Sequence, residues 1–136
     1  MLQKLAVTFV LLTAAPAMAQ NFTTAAEIKP ILGATKANWI AVREWEGNDL
    51  LYFTHLEAWR CGLEGVEYSV NGGVPEVWTL EPCYADEATP NAMKLPDRFP
   101  YTSLPLRAIE TVSVTVSYDD GTTETADFDR AAVMTP

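Results

Sequence analysis

The stretch VSVTVSYDDGTTETADF, residues 112–128, decides the fold class. Its three valines alternate with serine and threonine, the period of two that is typical of a strand with one buried and one solvated face. A three-residue turn over residues 119–121, with Gly121 in the left-handed conformation, places Val112 opposite Phe128. A two-residue turn would slip the register by one residue and set the valines against polar side chains. The sequence therefore predicts an antiparallel hairpin with a three-residue turn.

A second hairpin is predicted upstream, around Asn-Gly-Gly at residues 71–73. A two-residue turn would place Glu67 directly opposite Glu76, and like charges in that position destabilise a strand pair. A three-residue turn avoids this contact and pairs Val66 with Trp78. We therefore expect the three-residue register here as well.

The two cysteines agree with that register, because Cys61 and Cys83 lie at equal distances along the chain from Gly72. In an oxidising compartment a lone cysteine pair is usually a disulfide. A zinc site would need about four ligands, and His55 is the only histidine. The separation of the cysteines also excludes a Cys-x-x-Cys redox motif. The sequence predicts a structural disulfide at the base of the second hairpin.

A further hairpin is predicted near the N-terminus, where alternating residues flank the sequence Glu-Gly-Asn-Asp. With residues 47–48 as a two-residue turn, Trp45 faces Leu50 and Val42 faces Phe53. Both faces of these strands carry apolar residues, which is typical of strands that are covered on both sides.

Before the strands, Thr24 and Glu27 have the spacing of a capping box, which marks the start of a helix. Pro30 and Gly33 follow in the same segment, and both disfavour a regular helix. We therefore expect a short, strained or broken N-terminal helix that closes one end of the core.

Together these elements predict a mainly β fold: an antiparallel sandwich or small open barrel of about six strands, with one short N-terminal helix and one disulfide. The chain has 136 residues, too few for a second domain of ordinary size, so residues 20–136 are expected to form a single β-rich domain. The formal net charge of −9, without a basic stripe, excludes a nucleic-acid binder of the usual kind.

Residues 1–19 have the three parts of a secretory signal peptide. Lys4 gives a positive start, an apolar run covers residues 5–15, and Ala-Met-Ala at residues 17–19 fits a signal-peptidase site before Gln20. The run is shorter than the roughly 20 residues of a membrane-spanning helix; the alternative is a buried N-terminal helix. The sequence predicts export to the periplasm or the extracellular space, with no transmembrane segment in the mature chain.

Residues 84–107 lack a strand or helix pattern over most of their length, because four prolines interrupt them. Long loops of this kind often bind ligands or partners, and the candidate binding residues are Met93, Arg98, Phe99 and Tyr101. The alternative is a cover over an open sheet edge. In that case the apolar side chains point inward: Leu95, Phe99, Tyr101 and Leu104.

Candidate catalytic residues are scarce in this sequence. His55 is the only imidazole, and on the N-terminal hairpin it would lie opposite Ile40, with Glu57 further along the same face. Such a pair could transfer protons in a cleft, whereas a half-buried histidine with one hydrogen bond is the structural alternative. Trp59 is the tryptophan expected nearest to the surface. No metal-binding or cofactor-binding motif is recognised.

The lack of a catalytic constellation, the aromatic content of 10% and the proline-rich loop favour a non-catalytic binding or accessory module. An acidic chain favours a protein partner with a basic surface. Two alternatives remain: a small carboxylate-based hydrolase that uses His55 and Glu57, and a structural protein of the cell envelope. The sequence predicts no cofactor and leaves the oligomeric state open.

Overall fold

The computed structural model describes residues 3–12 and 21–136. The α-helices are α1 (Ala25–Ala34), α2 (Thr54–Ala58) and α3 (Arg130–Val133), and the strands are β1 (Ala41–Trp45), β2 (Asn48–Tyr52), β3 (Leu63–Val70), β4 (Glu76–Trp78), β5 (Tyr101–Pro105), β6 (Thr111–Tyr118) and β7 (Thr123–Asp129). Two antiparallel sheets form, in the orders β1-β2-β5 and β4-β3-β6-β7. The predicted mainly β, antiparallel fold is confirmed, with β5 as an additional strand inside the proline-rich segment.

The C-terminal hairpin has the predicted register. Val112 pairs with Phe128 and Val114 with Ala126. Gly121 has a φ of 82°, the left-handed conformation that the three-residue turn requires. Local alternation and turn chemistry therefore fixed this pairing correctly.

The β3–β4 hairpin also follows the prediction, with Val66 opposite Trp78. Cys61 and Cys83 form the expected disulfide. Cys61 lies in a 3-10 turn over Arg60–Gly62, immediately before β3, and Cys83 follows β4. The bridge thus closes the base of the hairpin just outside its strands.

The N-terminal hairpin differs from the prediction by a two-residue shift. Trp45 pairs with Asn48, so the turn consists of Glu46 and Gly47, with φ angles of 48° and 78°. A type I′ turn needs positive φ at both central positions and favours glycine at the second. Gly47 occupies that second position, and the predicted 47–48 turn was therefore wrong. A shift of two residues leaves every side chain on its predicted face.

Helix α1 is longer and more regular than expected, because Pro30 does not break it. Thr24 caps the helix: its Oγ1 accepts a hydrogen bond from the Glu27 amide at 3.3 Å. Pro30 removes one helical donor, which leaves the Ala26 carbonyl without its helical partner. Ala26 is exposed, so water can satisfy that carbonyl and the helix continues to Ala34.

The two sheets and α1 share one hydrophobic core. β3 pairs with β6 along most of its length and thereby joins the two later hairpins into one sheet. The alternating residues of that sheet point inward, toward β1, β2 and α1. Members of this core include Ile28, Leu32, Val42, Leu51, Val66, Tyr68, Val112, Val114, Val116 and Phe128. The opposite face of β6 carries serine and threonine, as its alternation predicts.

Asp49 is a buried carboxylate that joins β2 to the C-terminal helix. It forms an ion pair with Arg130 and accepts a hydrogen bond from the Ile109 amide at 3.1 Å. The hydrogen bonds from Arg130 lower the pKa of Asp49 to about 2, against the opposing effect of burial. The ordinary value is 3.8, so the charged form is favoured in the folded state.

Replacing Asp49 with asparagine should therefore change the dependence of stability on pH. A depressed pKa stabilises the fold fully above about pH 4, and this contribution disappears as the pH falls toward 2. Asp49→Asn is expected to lower the free energy of unfolding by about 2 kcal/mol at pH 7 and to flatten its decline in acid. Urea unfolding from pH 7 to pH 2 measures both effects. The matched control is Asp127→Asn, at an exposed position of β7; equal losses in the two variants would contradict the assignment.

Residues 3–12 have no helix or strand, and their large apolar side chains are exposed. The alternative of a buried N-terminal helix therefore does not hold for these residues. The predicted cleavage site at residues 17–19 lies outside the described part of the chain. Within the described ranges, none of the helices has the length and apolar character needed to cross a membrane.

Candidate functional site

Three aromatic rings form a continuous ladder on the outer face of the β1-β2-β5 sheet. Leu51 is buried on the inner face, so its neighbour Tyr52 projects outward, and Tyr52 pairs with Tyr101 of β5. The ring centroids of Tyr52 and Tyr101 are 5.1 Å apart, and those of Tyr101 and Phe99 are 5.5 Å apart. We call Tyr52, Tyr101 and Phe99 the aromatic ladder.

The ladder is open to solvent at its Phe99 end. Phe99 is 60% exposed and stacks on Tyr101 with an interplanar angle of 27°. Tyr52 and Tyr101 are half-buried. Offset aromatic rings at these separations attract one another beyond the area that they bury. The stack therefore holds the Phe99 ring in place, although the exposure of an apolar ring to water is unfavourable.

A groove of about 590 Å³ continues from the ladder toward α2 and the C-terminal segment. Tyr52 belongs to both the ladder and the groove wall. The residues that line the groove are Asn38, Trp39, Ile40, Ala41, Arg43, Tyr52, Thr54, His55, Ala58, Thr135 and Pro136. Its volume is in the range of small-molecule sites.

His55 lies on helix α2, not on a strand as predicted, because the β2 strand ends at Tyr52. Its Nε2 is 2.8 Å from the Thr35 hydroxyl oxygen. That hydroxyl donates its own proton to the Ile31 carbonyl at 2.7 Å, so the imidazole N–H is the donor to Thr35. Burial lowers the pKa of His55 below its ordinary value of 6.5. The ring is therefore neutral at pH 7, with Nδ1 as its acceptor.

Glu57 is fully buried and has different partners from His55. Its Oε1 accepts a hydrogen bond from Trp78 Nε1 at 2.9 Å, and its Oε2 accepts one from the Glu81 amide at 3.2 Å. Arg98 forms an ion pair with the same carboxylate. The predicted placement of His55 and Glu57 on one strand face was wrong, and the structure gives them no shared contact. Glu57 anchors the segment that follows β4.

The proposed binding loop is divided between two roles. Arg98 packs over Trp78 at 5.5 Å and pairs with Glu57, so it fastens the loop to the protein. Phe99 belongs to the ladder, and Met93 is 49% exposed. The structure therefore stacks only two of the four predicted residues on each other, Phe99 and Tyr101. The other two are Met93 and Arg98. In the cover alternative, the inward placement fails for Leu95 and Phe99, which are exposed, but Leu104 packs against the core.

The tryptophans are distributed differently from the prediction. Trp59 is half-buried and contacts Phe22 edge to face, with ring centroids 5.1 Å apart. Trp45 is the exposed one, at 48%, and the Arg43 guanidinium lies 4.3 Å above its ring. Helix α2 ends at Ala58, so Trp59 follows it directly and packs beside Phe22 instead of being the tryptophan nearest to the surface.

The structural role of Arg60 is the main feature of this region that the sequence did not predict. Its side chain is buried, and its guanidinium donates hydrogen bonds only to backbone carbonyls of α2 and of the loop after β4. The acceptors are Glu57, Glu81, Pro82, Asn91 and Ala92, at 2.7–3.1 Å. A single side chain thus holds residues 81–82 and 91–92 together, and Phe99 lies further along the same loop. The only sequence signal is its position next to Cys61.

Comparison with protein-family models, with curated proteins and with solved structures gave no significant match to this chain.

Proposed function

We propose that this chain is an exported, non-catalytic binding module that engages a protein partner through the aromatic ladder. The observation that carries the proposal is the exposed stack of Phe99 on Tyr101, continued by Tyr52. Tyrosine and other aromatic residues are enriched at the energetic centres of protein interfaces. They bury a large area and lose little side-chain entropy on binding.

The anchoring of the loop supports a preorganised surface. Arg98 and Arg60 fasten the loop on both sides of Met93, so Phe99 is presented from a segment tied to the core. A preorganised surface loses less conformational entropy when it binds. This arrangement suits recognition better than a mobile lid over a catalytic centre.

The chemistry of the partner is inferred from the charge of the chain. A formal net charge of −9 attracts a basic surface at long range and accelerates encounter. We therefore expect a partner with a basic rim around an apolar patch, and an association rate that falls as salt is added.

Export is supported by two independent features of the chain. Residues 1–19 have the order of charge, apolar run and small residues of a signal peptide. The Cys61–Cys83 disulfide persists in oxidising compartments and is rare in the cytosol. The partner is therefore sought in the periplasm or outside the cell.

The experiment removes one exposed ring. The tagged protein is crosslinked in its native host, the captured partner is identified by mass spectrometry, and its purified form is titrated against variants. Phe99→Ser is expected to weaken binding at least about tenfold, as loss of an interface hot spot does. Val74→Ser is the matched control, since Val74 is an 85% exposed apolar residue outside the ladder. Its affinity should stay within about twofold of wild type, as for scattered surface residues.

Two results would overturn the proposal. One is direct binding of a purified partner that Phe99→Ser and Val74→Ser weaken equally. The other is the absence of any partner that binds in purified form, which would favour a structural protein of the envelope.

A further inference from the structure

Arg43 differs from the other basic residues of the folded part of the chain. Within residues 21–136, every other lysine and arginine has a carboxylate oxygen within 4.0 Å. Arg43 has no such carboxylate and instead lies over the ring of Trp45. The chain has 18 acidic and 9 basic residues, so an arginine without an acidic partner is unexpected. This guanidinium keeps its capacity for an anion.

The groove beside Arg43 has the matching charge pattern. Among the described side chains that line it, Arg43 is the only one that is charged at pH 7, and neither aspartate nor glutamate is present. His55 is neutral there because burial lowers its pKa. In this acidic protein, the groove therefore has one cationic side chain and no acidic one. An anion that enters the groove meets no acidic side chain among these lining residues.

The remainder of the groove is mainly apolar. Ala41 and Ala58 contribute aliphatic surface and Tyr52 contributes a ring, whereas Trp39 and Ile40 are buried behind them. The indole N–H of Trp39 is already donated to the Leu32 carbonyl at 2.9 Å, so the wall at Trp39 has no free indole N–H for a ligand. A few polar groups above an apolar floor are typical of small-molecule sites.

We propose that the groove binds a small amphipathic carboxylate, whose carboxylate pairs with Arg43 and whose apolar body lies against Ala41, Tyr52 and Ala58. Arginine binds carboxylates through two parallel N–H donors, which gives orientation as well as affinity. The Nδ1 acceptor of His55 can receive a hydrogen bond from a donor group on the ligand. This site is separate from partner binding at Phe99, although the two share Tyr52.

The test uses probes that share one ring and differ in charge: indole-3-acetate, indole-3-acetamide and tryptamine. 4-Phenylbutyrate and decanoate extend the test to two other apolar bodies. Each is titrated to about 5 mM, since fragments of this size bind in the millimolar range, into ¹⁵N-labelled exported protein. At least one carboxylate should give saturable amide shifts at residues 38–43, 52–58 and 135. Indole-3-acetate is expected to bind at least about tenfold more tightly than its amide, and tryptamine should not bind.

Variants separate the Arg43 contact from general charge effects. Arg43→Gln should reduce the affinity for the carboxylate to that for the amide, whereas Arg107→Gln, at an arginine whose side chain is 77% exposed, should leave it unchanged. Ala58→Leu keeps Arg43 and fills the groove, so it should abolish all binding there. Phe99→Ser should not affect the carboxylate, which distinguishes this site from the partner surface.

Three outcomes would overturn the proposal. The first is no saturable shift in the groove with any of the three carboxylates. The second is equal binding of the three indole probes. The third is a carboxylate affinity that Arg43→Gln leaves unchanged or that Arg107→Gln reduces equally.

Discussion

Replacing Arg60 with methionine is expected to lower the free energy of unfolding by about 3–5 kcal/mol, the usual cost of removing one partner from a buried ion pair. The substitution leaves several backbone carbonyls without their donor and removes the cation next to the buried carboxylate of Glu81. Burial alone would raise the pKa of Glu81, but the Lys94 amide and the Tyr84 hydroxyl, together with Arg60, lower it. Glu81 is therefore charged in the folded protein, and these neighbours stabilise its charged form.

Urea unfolding of Arg60→Met measures this loss. Arg107→Met is the matched control, because the Arg107 side chain is 77% exposed and a surface pair of this kind contributes at most about 1 kcal/mol. Adding Glu81→Gln to Arg60→Met should recover part of the stability, since it removes the unpaired buried charge. A loss of less than about 1 kcal/mol for Arg60→Met would contradict the assigned role.

Removing the disulfide should have the second largest effect. The Cys61–Cys83 bridge closes a loop with a sequence separation of 22. In the chain-entropy model this constraint contributes about 3 kcal/mol by restricting the unfolded state. The double variant Cys61→Ala/Cys83→Ala is expected to unfold about 10 °C below wild type.

Reduction of the wild-type protein is the control for the disulfide. The reduced protein and the double variant should have similar midpoints, because both lack the cross-link while the surrounding residues are unchanged. Equal midpoints for the oxidised and reduced proteins would contradict a stabilising disulfide. Intact mass measurement of the exported protein that shows two free thiols would contradict the bridge itself.

Both predictions concern the same part of the molecule. Arg60 and Cys61 are adjacent, and both connect the start of β3 to the segment after β4. Effects of neighbouring substitutions are usually not additive. The combined variant should therefore lose a different amount of stability from the sum of the two losses, in contrast to Arg60→Met combined with the distant Asp49→Asn.

The hairpins were the most predictable part of the fold, because a hairpin is determined by residues that are close in the sequence. The registers around Gly72 and Gly121 followed from turn length and from the pattern of apolar residues. The 47–48 turn was placed one residue too far along, which shifted the strand pairing by two residues, because both the 46–47 pair and the 47–48 pair contain Gly47. Local patterns therefore indicated the hairpin correctly and its exact turn less well.

Helix α2 was predicted as strand, because its short sequence between Phe53 and Trp59 also fits an alternation of two. A helix of five residues gives too few repeats to distinguish the two periods. This one error moved His55 and Glu57 onto the same face in the prediction. In the structure, the helical geometry directs the two side chains to different partners.

The candidate site was the least predictable part, since it depends on contacts between residues far apart in the sequence. Tyr52 and Tyr101 meet only because β5 pairs with β2. One signal for β5 was present: prolines at positions 100 and 105 bracket it, and proline within a sheet is confined to edge strands and strand ends. The unpaired state of Arg43 has no sequence signature, because it depends on the position of every carboxylate in the folded chain.

The most direct test of the binding function is to map the contact surface of the captured partner on the ¹⁵N-labelled protein. Unlabelled partner is added, and the amide signals that shift or broaden are located in the structure. We expect the effects at residues 50–53 and 98–104, around the aromatic ladder, and none on the serine- and threonine-rich face of β6. Effects centred on that face, with unchanged signals around Phe99 and Tyr101, would contradict the account.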